Sequence, residues 1–398
     1  LRFLKMKTLT LKELDGELAE WPFYMDKAIG LAASVFNATP NPRVGCVIVK
    51  DGSVIGEGWH SAAGEKHAEI VALEDAGPAA KNSTAFVSLE PCAHQGRTPP
   101  CSEALIAAEV DRVVIASVDP DERVSGRGIK ALEEANIKVF HLLDFDERAR
   151  AVNPGFFKRQ EFAKPFVRLK LAMSIDGRTA LSNGKSKWIT SSEARKDVQR
   201  LRAQSCAIVT GIGTILMDDP SLTVRIPELG IDDMQLKYNE VSLSKSPARV
   251  VIGDYKKIPA TAKVIHNEGA VKFFTSAKGG SVTNYPENVE IFEIKSDSKR
   301  VDLESVLVSL ASDSKCNEVL VEAGPTLSAD FIGQGLVDEF ITYKAPKILG
   351  SDAKPLINYT GLTSLDKSIN FSVKEVCRLG SDIKTTFIPS FKECLQEL

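Results

Sequence analysis

Two α/β domains in tandem are what this sequence predicts, and three observations predict them. The chain has 398 residues, too many for one ordinary core. Short apolar runs alternate with stretches of helical periodicity from about residue 23 to residue 141, and the alternation begins again at Phe166. A helix-forming, largely polar stretch over 146–164 separates the two series and reads as helix and linker. The division expected is an N-terminal extension (1–22), a first domain (23–160) and a second domain (161–398).

In the first domain, residues 23–36 carry apolar side chains at helical spacing and form its first helix. Residues 44–49 are a strand, turned at Lys50-Asp51-Gly52-Ser53 into a partner over 54–58. Residues 67–76 read as a helix with His67 and Glu69 in its first turn. The strand over 84–89 delivers Pro91-Cys92 to the start of a helix that continues through 101–108. Strand 113–117, helix 128–135 and strand 138–141 complete a three-layer sandwich of helices on a sheet. In the second domain strands are expected at 166–172, 206–211, 249–252, 271–275, 289–294, 318–321 and 339–344. Thr190 and Glu193 have the spacing of a capping box that opens a helix to about Ala203. Residues 226–247 and 276–288 are polar and bear Gly, Pro and Ser, so they read as loops.

Hydrophobic residues make up 43% of the chain and charged residues 26%, with a net charge of −3, which describes a globular protein. The balance lacks the basic surplus that a polyanionic partner needs, so no nucleic acid is expected. No apolar run approaches the length of a membrane span, so no membrane association is expected either. The first residues lack the apolar core and small-residue cleavage site of a targeting signal. Seven cysteines, an odd and scattered set, point to a reducing, cytoplasmic setting.

The chemistry is carried by His67-Ala68-Glu69 and by the run from Glu90-Pro91-Cys92 to Cys101. One imidazole (His67) and two thiolates (Cys92, Cys101) make three zinc ligands and leave the fourth tetrahedral position for water, the pattern of a catalytic site. Glu69, two residues after the histidine, is close enough to shuttle protons without ligating. A structural zinc would need a fourth ligand, for which His94 is the only spare residue nearby. A Cys92–Cys101 disulfide would need an oxidising compartment. The pattern resembles the H-x-E…P-C signature of the zinc deaminases.

The second domain shows no Gly-x-Gly-x-x-Gly. Two strand-to-helix junctions are glycine-bearing, Gly211-Ile212-Gly213-Thr214 and Glu322-Ala323-Gly324-Pro325-Thr326-Leu327. Such junctions either aim bare backbone amides at a pyrophosphate or are ordinary loops.

Eight residues separate Cys92 from Cys101, where deaminases usually have two. With Thr39-Pro40-Asn41-Pro42-Arg43-Val44-Gly45, Asp119-Pro120-Asp121 and Gly126-Arg127-Gly128, this longer loop resembles the deaminase half of the bifunctional riboflavin-biosynthesis deaminase–reductases. Ser186-Lys187-Trp188-Ile189-Thr190, the run from Asp218-Asp219-Pro220 to Arg225, Glu322-Ala323-Gly324-Pro325-Thr326 and Leu336-Val337-Asp338-Glu339 are similar to the reductase half. The resemblance implies a cytidine-deaminase-like sandwich followed by a dihydrofolate-reductase-like α/β domain. It implies zinc-dependent deamination of a diaminopyrimidinone bearing a phosphoribosylamino group, then NADPH-dependent reduction of the ribosyl group to ribityl.

By the same resemblance, Asn41, His94 and Arg97 receive the pyrimidine and its phosphoribosyl group. Ala172, Trp188, Thr214, Asp218 and the segment Gly324, Pro325, Thr326, Leu327, Ser328, Ala329 and Asp330 contact the cofactor. Ser186, Arg202, Leu222, Arg225 and Glu322 contact the substrate, with Arg202 and Arg225 expected as a two-point clamp on its phosphate. Lys170 and Glu322 are the candidate polar pair beside the reduced carbon. The competing readings are a turn residue for Asn41, core packing for Trp188 and a structural salt bridge for Lys170 with Glu322. A homodimer or homotetramer through the second domain is also implied.

Four residues, at three places, depart from the family pattern. Asp121-Glu122 stands where Asn-Pro is frequent, Asn136 replaces a glycine, and Asp254 falls on a cofactor-contacting serine. The rival functions are another nucleobase or nucleoside deaminase, and a non-catalytic zinc- and nucleotide-binding protein. The long inter-cysteine loop and the second domain speak against the first, and the unligated Glu69 against the second.

Overall fold

The computed structural model describes residues 6–93, 99–121, 124–276, 285–294 and 300–390. The chain forms two compact units, one of residues 1–163 with 231–244 and the other of residues 164–230 with 245–398.

The first unit is built on six strands and the helices that cover them. In chain order these are Lys7–Leu9 (β1), Trp21–Ser34 (α1), Gly45–Lys50 (β2), Ser53–Trp59 (β3), Ala68–Ala76 (α2), Thr84–Val87 (β4), Cys101–Ala107 (α3), Arg112–Ile115 (β5), Arg127–Glu134 (α4), Lys138–Leu142 (β6), Asp146–Val152 (α5) and Pro154–Phe162 (α6). The sheet order is β1-β6-β5-β4-β2-β3. Strands β1, β6, β5 and β4 run parallel, and β2 is antiparallel to both β4 and β3. Alternation sorts each strand between two cores. Cys46 and Ile48, Ala85 and Val87, and Val113 and Ile115 pack against Ala68, Ala72, Leu105 and Ile129 of α2–α4. Val47, Phe86 and Val114 pack against Trp21, Tyr24 and Met25 of α1. This is the expected three-layer sandwich.

Two findings differ from the sequence reading of this unit. Residues 7–9, placed in the extension, form the edge strand β1, and Leu9 is buried in the α1-side core. Pro91-Cys92 does not open a helix; α3 begins only at Cys101, with Pro100 as its N-cap. A proline there fits the helix start because the amide it lacks would be unbonded anyway.

The second unit comprises Phe166–Met173 (β7), Arg178–Ala180 (β8), Ser192–Gln204 (α7), Ala207–Gly211 (β9) and Ile212–Asp218 (α8). The excursion to the first unit follows, with Asp233–Tyr238 (α9) and Glu240–Leu243 (α10). The chain then gives Ala248–Ile252 (β10), Lys263–His266 (α11), Val271–Thr275 (β11), Val289–Glu293 (β12), Leu303–Ser312 (α12), Glu318–Val321 (β13), Pro325–Gly333 (α13), Glu339–Lys344 (β14), Lys354–Pro355 (β15), Phe371–Leu379 (β16) and Asp382–Pro389 (β17). The large sheet runs β12-β11-β10-β9-β13-β7-β14-β17-β16. From β12 to β14 every pairing is parallel, and β17 and β16 close one end antiparallel. Val167, Leu169 and Leu171 face α12 and α13, while the other face of the sheet meets Ala194, Val198 and Leu201 of α7.

Two expectations are corrected here. Residues 226–247, read as a loop, contain α9 and α10, and the Asn239 amide fastens them to the first unit by bonding the Phe36 N–H and the Ser34 carbonyl. The N-cap of α7 is Ser191, whose hydroxyl accepts from the Ala194 N–H, rather than Thr190. Ser191 is the residue with extended backbone angles at the helix start, which capping requires.

Helix α2 lies directly on β3. A Cβ added at Gly58 would stand 2.2 Å from the Ala68 carbonyl oxygen and 2.5 Å from the Ala72 nitrogen. Relief would demand movement of helix backbone rather than of a side-chain tip. Gly58→Ala is therefore expected to destabilise the first unit by at least about 2 kcal/mol. Urea unfolding followed by tryptophan fluorescence checks this, and an unchanged midpoint would contradict so close an approach.

Candidate active sites

In the first unit the ligand atoms of His67, Cys92 and Cys101 all lie within 4.8 Å of one another. His67 Nδ1 is 3.2 Å from Cys101 Sγ and 3.5 Å from Cys92 Sγ. Tetrahedral bonds of ordinary Zn–N and Zn–S length separate N from S by about 3.6 Å, so the three donors fit a zinc ion. Each comes from a different place in the fold: His67 is the extended N-cap of α2, Cys92 follows β4, and Cys101 is the first residue of α3.

The Cys101 N–H donates to Cys92 Sγ at 3.3 Å. The Cys92 thiol is drawn down by its hydrogen bond with Cys101, against burial and with help from His67, while the same bond and burial push Cys101 up. The two sulfurs thus share one proton, whose place a divalent cation can take. Glu69, in the first turn of α2, is 3% exposed, and burial followed by the nearby Cys92 charge raises its pKa to about 7. A carboxyl group poised there both accepts and gives up a proton near neutrality.

Supporting residues that the motifs did not single out complete this site. His60 stands edge-on to His67 with centroids 5.1 Å apart. Its Nδ1 is 3.0 Å from the Lys66 carbonyl, so that nitrogen carries the proton, and Nε2 accepts from the Asn41 amide at 3.0 Å. Asn41 is thereby held beside the metal ligands. Glu90 is buried, and its two carboxylate oxygens accept the N–H groups of Asp119, Gly126, Gly128 and Ile129 at 3.0–3.4 Å. It ties the turn leading to Cys92 onto the start of α4. At Gly128 the contact is so close that a Cβ would stand 1.9 Å from the Pro91 carbonyl oxygen. His94 and Arg97 lie outside the described residues.

The second unit holds a cleft of about 1170 Å³ along the carboxyl ends of β7, β13, β9, β10 and β11. Single-ligand pockets measure ~300–1,000 Å³, so there is room for two ligands side by side. Ala172, Ser186, Trp188, Thr214, Asp218 and Leu222 line it, as do Lys170, Arg202, Arg225 and Glu322. From the segment that opens α13, Gly324, Pro325, Thr326, Leu327 and Asp330 also face the cleft. Ser328 and Ala329 are buried within the helix instead, and the Ser328 hydroxyl bonds the Ala323 carbonyl. Trp188 is 62% exposed, with the Arg195 guanidinium 4.7 Å from its ring centre, so it is a rim residue rather than core.

Arg202 and Arg225, expected as a phosphate clamp, are each paired with a carboxylate in this structure. Arg202 is turned inward and grips Glu322 by two bonds, 2.6 and 3.1 Å, while also donating to the Thr223 carbonyl. Arg225 pairs with Glu228 at 2.6 Å near the surface. Lys170 Nζ lies 3.7 Å from Glu322. Burial pulls the Lys170 pKa down, more than the neighbouring Glu322 restores it. Burial would raise Glu322, but Arg202 and Lys170 overrule it and hold the carboxyl at about 2. An anionic Glu322 flanked by two cations thus sits at the centre of the cleft. At the start of α13, Gly324 leaves the backbone bare, with Thr214 Oγ1 only 3.7 Å from where a Cβ would be. Free amides at a helix N-terminus suit the phosphates of a dinucleotide.

Comparison with known proteins follows this division. The cytidine and deoxycytidylate deaminase zinc-binding region family matches residues 20–117, and the RibD C-terminal domain family matches residues 165–385. Riboflavin biosynthesis protein RibD of Escherichia coli (strain K12) is 45% identical over 362 residues, spanning 91% of this chain and 97% of that protein. RibD of Aquifex aeolicus (strain VF5) is 36% identical over 92% of this chain and 97% of its own length. The structure of Acinetobacter baumannii RibD, form 1, aligns with a TM-score of 0.82 at 40% identity, covering 92% of this chain and 98% of that one. A diaminohydroxyphosphoribosylaminopyrimidine deaminase/5-amino-6-(5-phosphoribosylamino)uracil reductase from Thermotoga maritima aligns with a TM-score of 0.79 at 31% identity, covering 93% and 99%. On two domain matches in order and full-length likeness, this chain belongs to the RibD family of riboflavin-biosynthesis proteins.

Proposed function

We propose that the chain catalyses two consecutive steps of riboflavin biosynthesis, one in each unit. The first unit deaminates 2,5-diamino-6-(5-phosphoribosylamino)pyrimidin-4-one. The second reduces the ribosyl group of the resulting 5-amino-6-(5-phosphoribosylamino)uracil to ribityl, the pair of activities in the name of the Thermotoga maritima relative. The observation that carries the reading is the convergence of His67, Cys92 and Cys101 with Glu69 buried beside them.

His67, Cys92 and Cys101 would hold zinc, which would supply Lewis acidity and make water a nucleophile near neutral pH. Glu69 takes the proton from the attacking water and returns it to the departing ammonia, so its own charge is restored at the end of each cycle. Asn41, oriented by His60, offers its amide to the pyrimidine edge, and His94 and Arg97 are proposed to complete that pocket.

In the second unit, a bound reduced nicotinamide would supply hydride for C1′ of the ribosyl group, and Lys170 would give the proton that balances the negative charge so created. Glu322 holds Lys170 in place and is itself held by Arg202, which makes Arg202 an anchor of the site. Ser186, Leu222 and Arg225 are the proposed substrate contacts, Arg225 exchanging Glu228 for the substrate's phosphate. Ala172, Trp188, Thr214, Asp218 and the segment from Gly324 to Asp330 are the proposed cofactor contacts, Ser328 and Ala329 acting through the helix they build. NADPH is the hydride donor that the family resemblance implies.

Two thiolate ligands call for a reducing compartment, which supports a cytoplasmic location. No helix among the described residues is long and apolar enough to cross a membrane. Association of copies through the second unit is supported by the exposed apolar side chains of its outer strands, Val373 and Val376 on β16 and Ile383 and Ile388 on β17.

Glu69→Gln keeps the shape of the side chain but relays no proton, so deamination should fall by ~10²–10⁴-fold while zinc content and reduction stay intact. A purified variant that deaminates at the parental rate would remove Glu69 from this role. Cys101→Ser should lower zinc content and deamination together, because a hydroxyl binds this metal poorly; elemental analysis is the readout. Lys170→Met should cut reduction by ~10²-fold or more without weakening cofactor binding, measured by fluorescence titration of the reduced nicotinamide. Parental reduction in that variant would leave Lys170 as part of a structural ion pair only.

A further inference from the structure

The reductase cleft also contains a residue that no part of the proposed chemistry uses. Asp254 lies two residues beyond the end of β10, lines the cleft, and is fixed in its orientation. One carboxylate oxygen accepts the Lys256 N–H at 3.2 Å, capping the short turn of residues 255–257, and the other lies 3.9 Å from Lys257 Nζ. The preceding Gly253 has φ +133°, and a Cβ there would stand 2.8 Å from Ile212. The end of β10 is thus pressed against Ile212, the first residue of α8, at the glycine-bearing junction of β9 and α8.

The strand order places Asp254 relative to a cofactor lying across the strand ends. Counting along the sheet from the reacting group, Lys170 is on β7, Glu322 and Gly324 follow β13, Thr214 follows β9, and Asp254 follows β10. Three strand spacings, about 14 Å, separate the first from the last. With the nicotinamide at Lys170 and the phosphates at Gly324 and Thr214, the adenosine ribose reaches the end of β10. In the βαβ units that bind dinucleotides on a fuller glycine fingerprint than this chain's, a carboxylate beyond the next strand accepts the hydrogen of a ribose 2′-hydroxyl, whereas a nearby cation accommodates a 2′-phosphate; the placing of Asp254 beside the β9–α8 junction is the same.

We infer that Asp254 reads the 2′ position of the cofactor's ribose and favours a hydroxyl over a phosphate, shifting the reductase from NADPH towards NADH. The inference rests on the reductase reading above and deepens it. A dianionic 2′-phosphate meets a like charge at Asp254 whose only described ion pair is the 3.9 Å one with Lys257. Arg300, which also lines the cleft, is engaged by Asp330 at 2.7 Å.

The test uses the full-length zinc-loaded protein and its Asp254→Ser and Asp254→Asn variants. Dissociation constants for NADH and NADPH are measured by fluorescence titration, and kcat/KM for reduction is measured with each. Both variants should move the ratio of the two dissociation constants towards NADPH by about fivefold or more, since loss of a repulsive contact changes discrimination rather than binding of both alike. A smaller shift in either variant, with both cofactors still binding, overturns the role of Asp254 and leaves the reductase reading standing. Failure of the parental protein to bind either cofactor would overturn the reductase reading and this inference together.

Discussion

Bringing two sulfurs and an imidazole to within 4.8 Å of one another is the constraint on which the first unit depends. Side chains so placed crowd and share protons unless a cation sits among them, and none of their positions is set by its neighbours in sequence alone. The fold supplies them from α2, from the turn after β4 and from α3, and each is pinned by backbone. Gly58 lets α2 descend onto β3, and Glu90 collects amides from the loop before α4 and from its first turn. The Cys101 N–H points at Cys92. Two helix starts, and a turn after β4 that is tied down through Glu90, therefore set the precision of the site.

The second unit solves a related problem with charges. Lys170 and Arg202 would be costly to bury alone, and so would Glu322; together they form a compact set in which each cation faces the same carboxylate. A similar set stands two residues earlier on β7, where Arg168 pairs with Glu318 and Glu339. The alternation of the strand puts both sets on one face, but only the later one opens into the cleft. The earlier set ties three strands together, and the later one is available to a substrate. Position along the strand, not residue type, separates the structural ion pairs from the catalytic candidates.

Most strands of both sheets were legible because they are buried and read as short apolar runs between turns. The ones that escaped are those with weak local signals. Strand β1 has three residues, of which only Leu9 is buried. Strand β16 is exposed over most of its length, so neither alternation nor an apolar run marks it. Helices α9 and α10 have six and four residues, too short for a periodic pattern, and Asn239, which also bonds Gln235 and Ser242 nearby, reaches Phe36 and Ser34 more than 200 residues away.

The sequence by itself determined the candidate metal cluster of His67, Cys92 and Cys101, the neighbouring Glu69, the order of the two domains and the segments that line the cleft of the second unit. These rest on residue types at fixed short spacings and on strand and helix periods, all written locally in the chain. Only the tertiary structure decided what those residues touch. Arg202 and Glu322 are 120 residues apart, and their union follows from where α7 packs over β13. Glu90 as an acceptor of four amides, His60 as the support of Asn41 and Asp254 at the far end of the cleft are likewise consequences of packing and strand order. A side chain's partners are chosen by the register of strands and the docking of helices, which are properties of the whole sheet and have no signature in any short stretch of sequence.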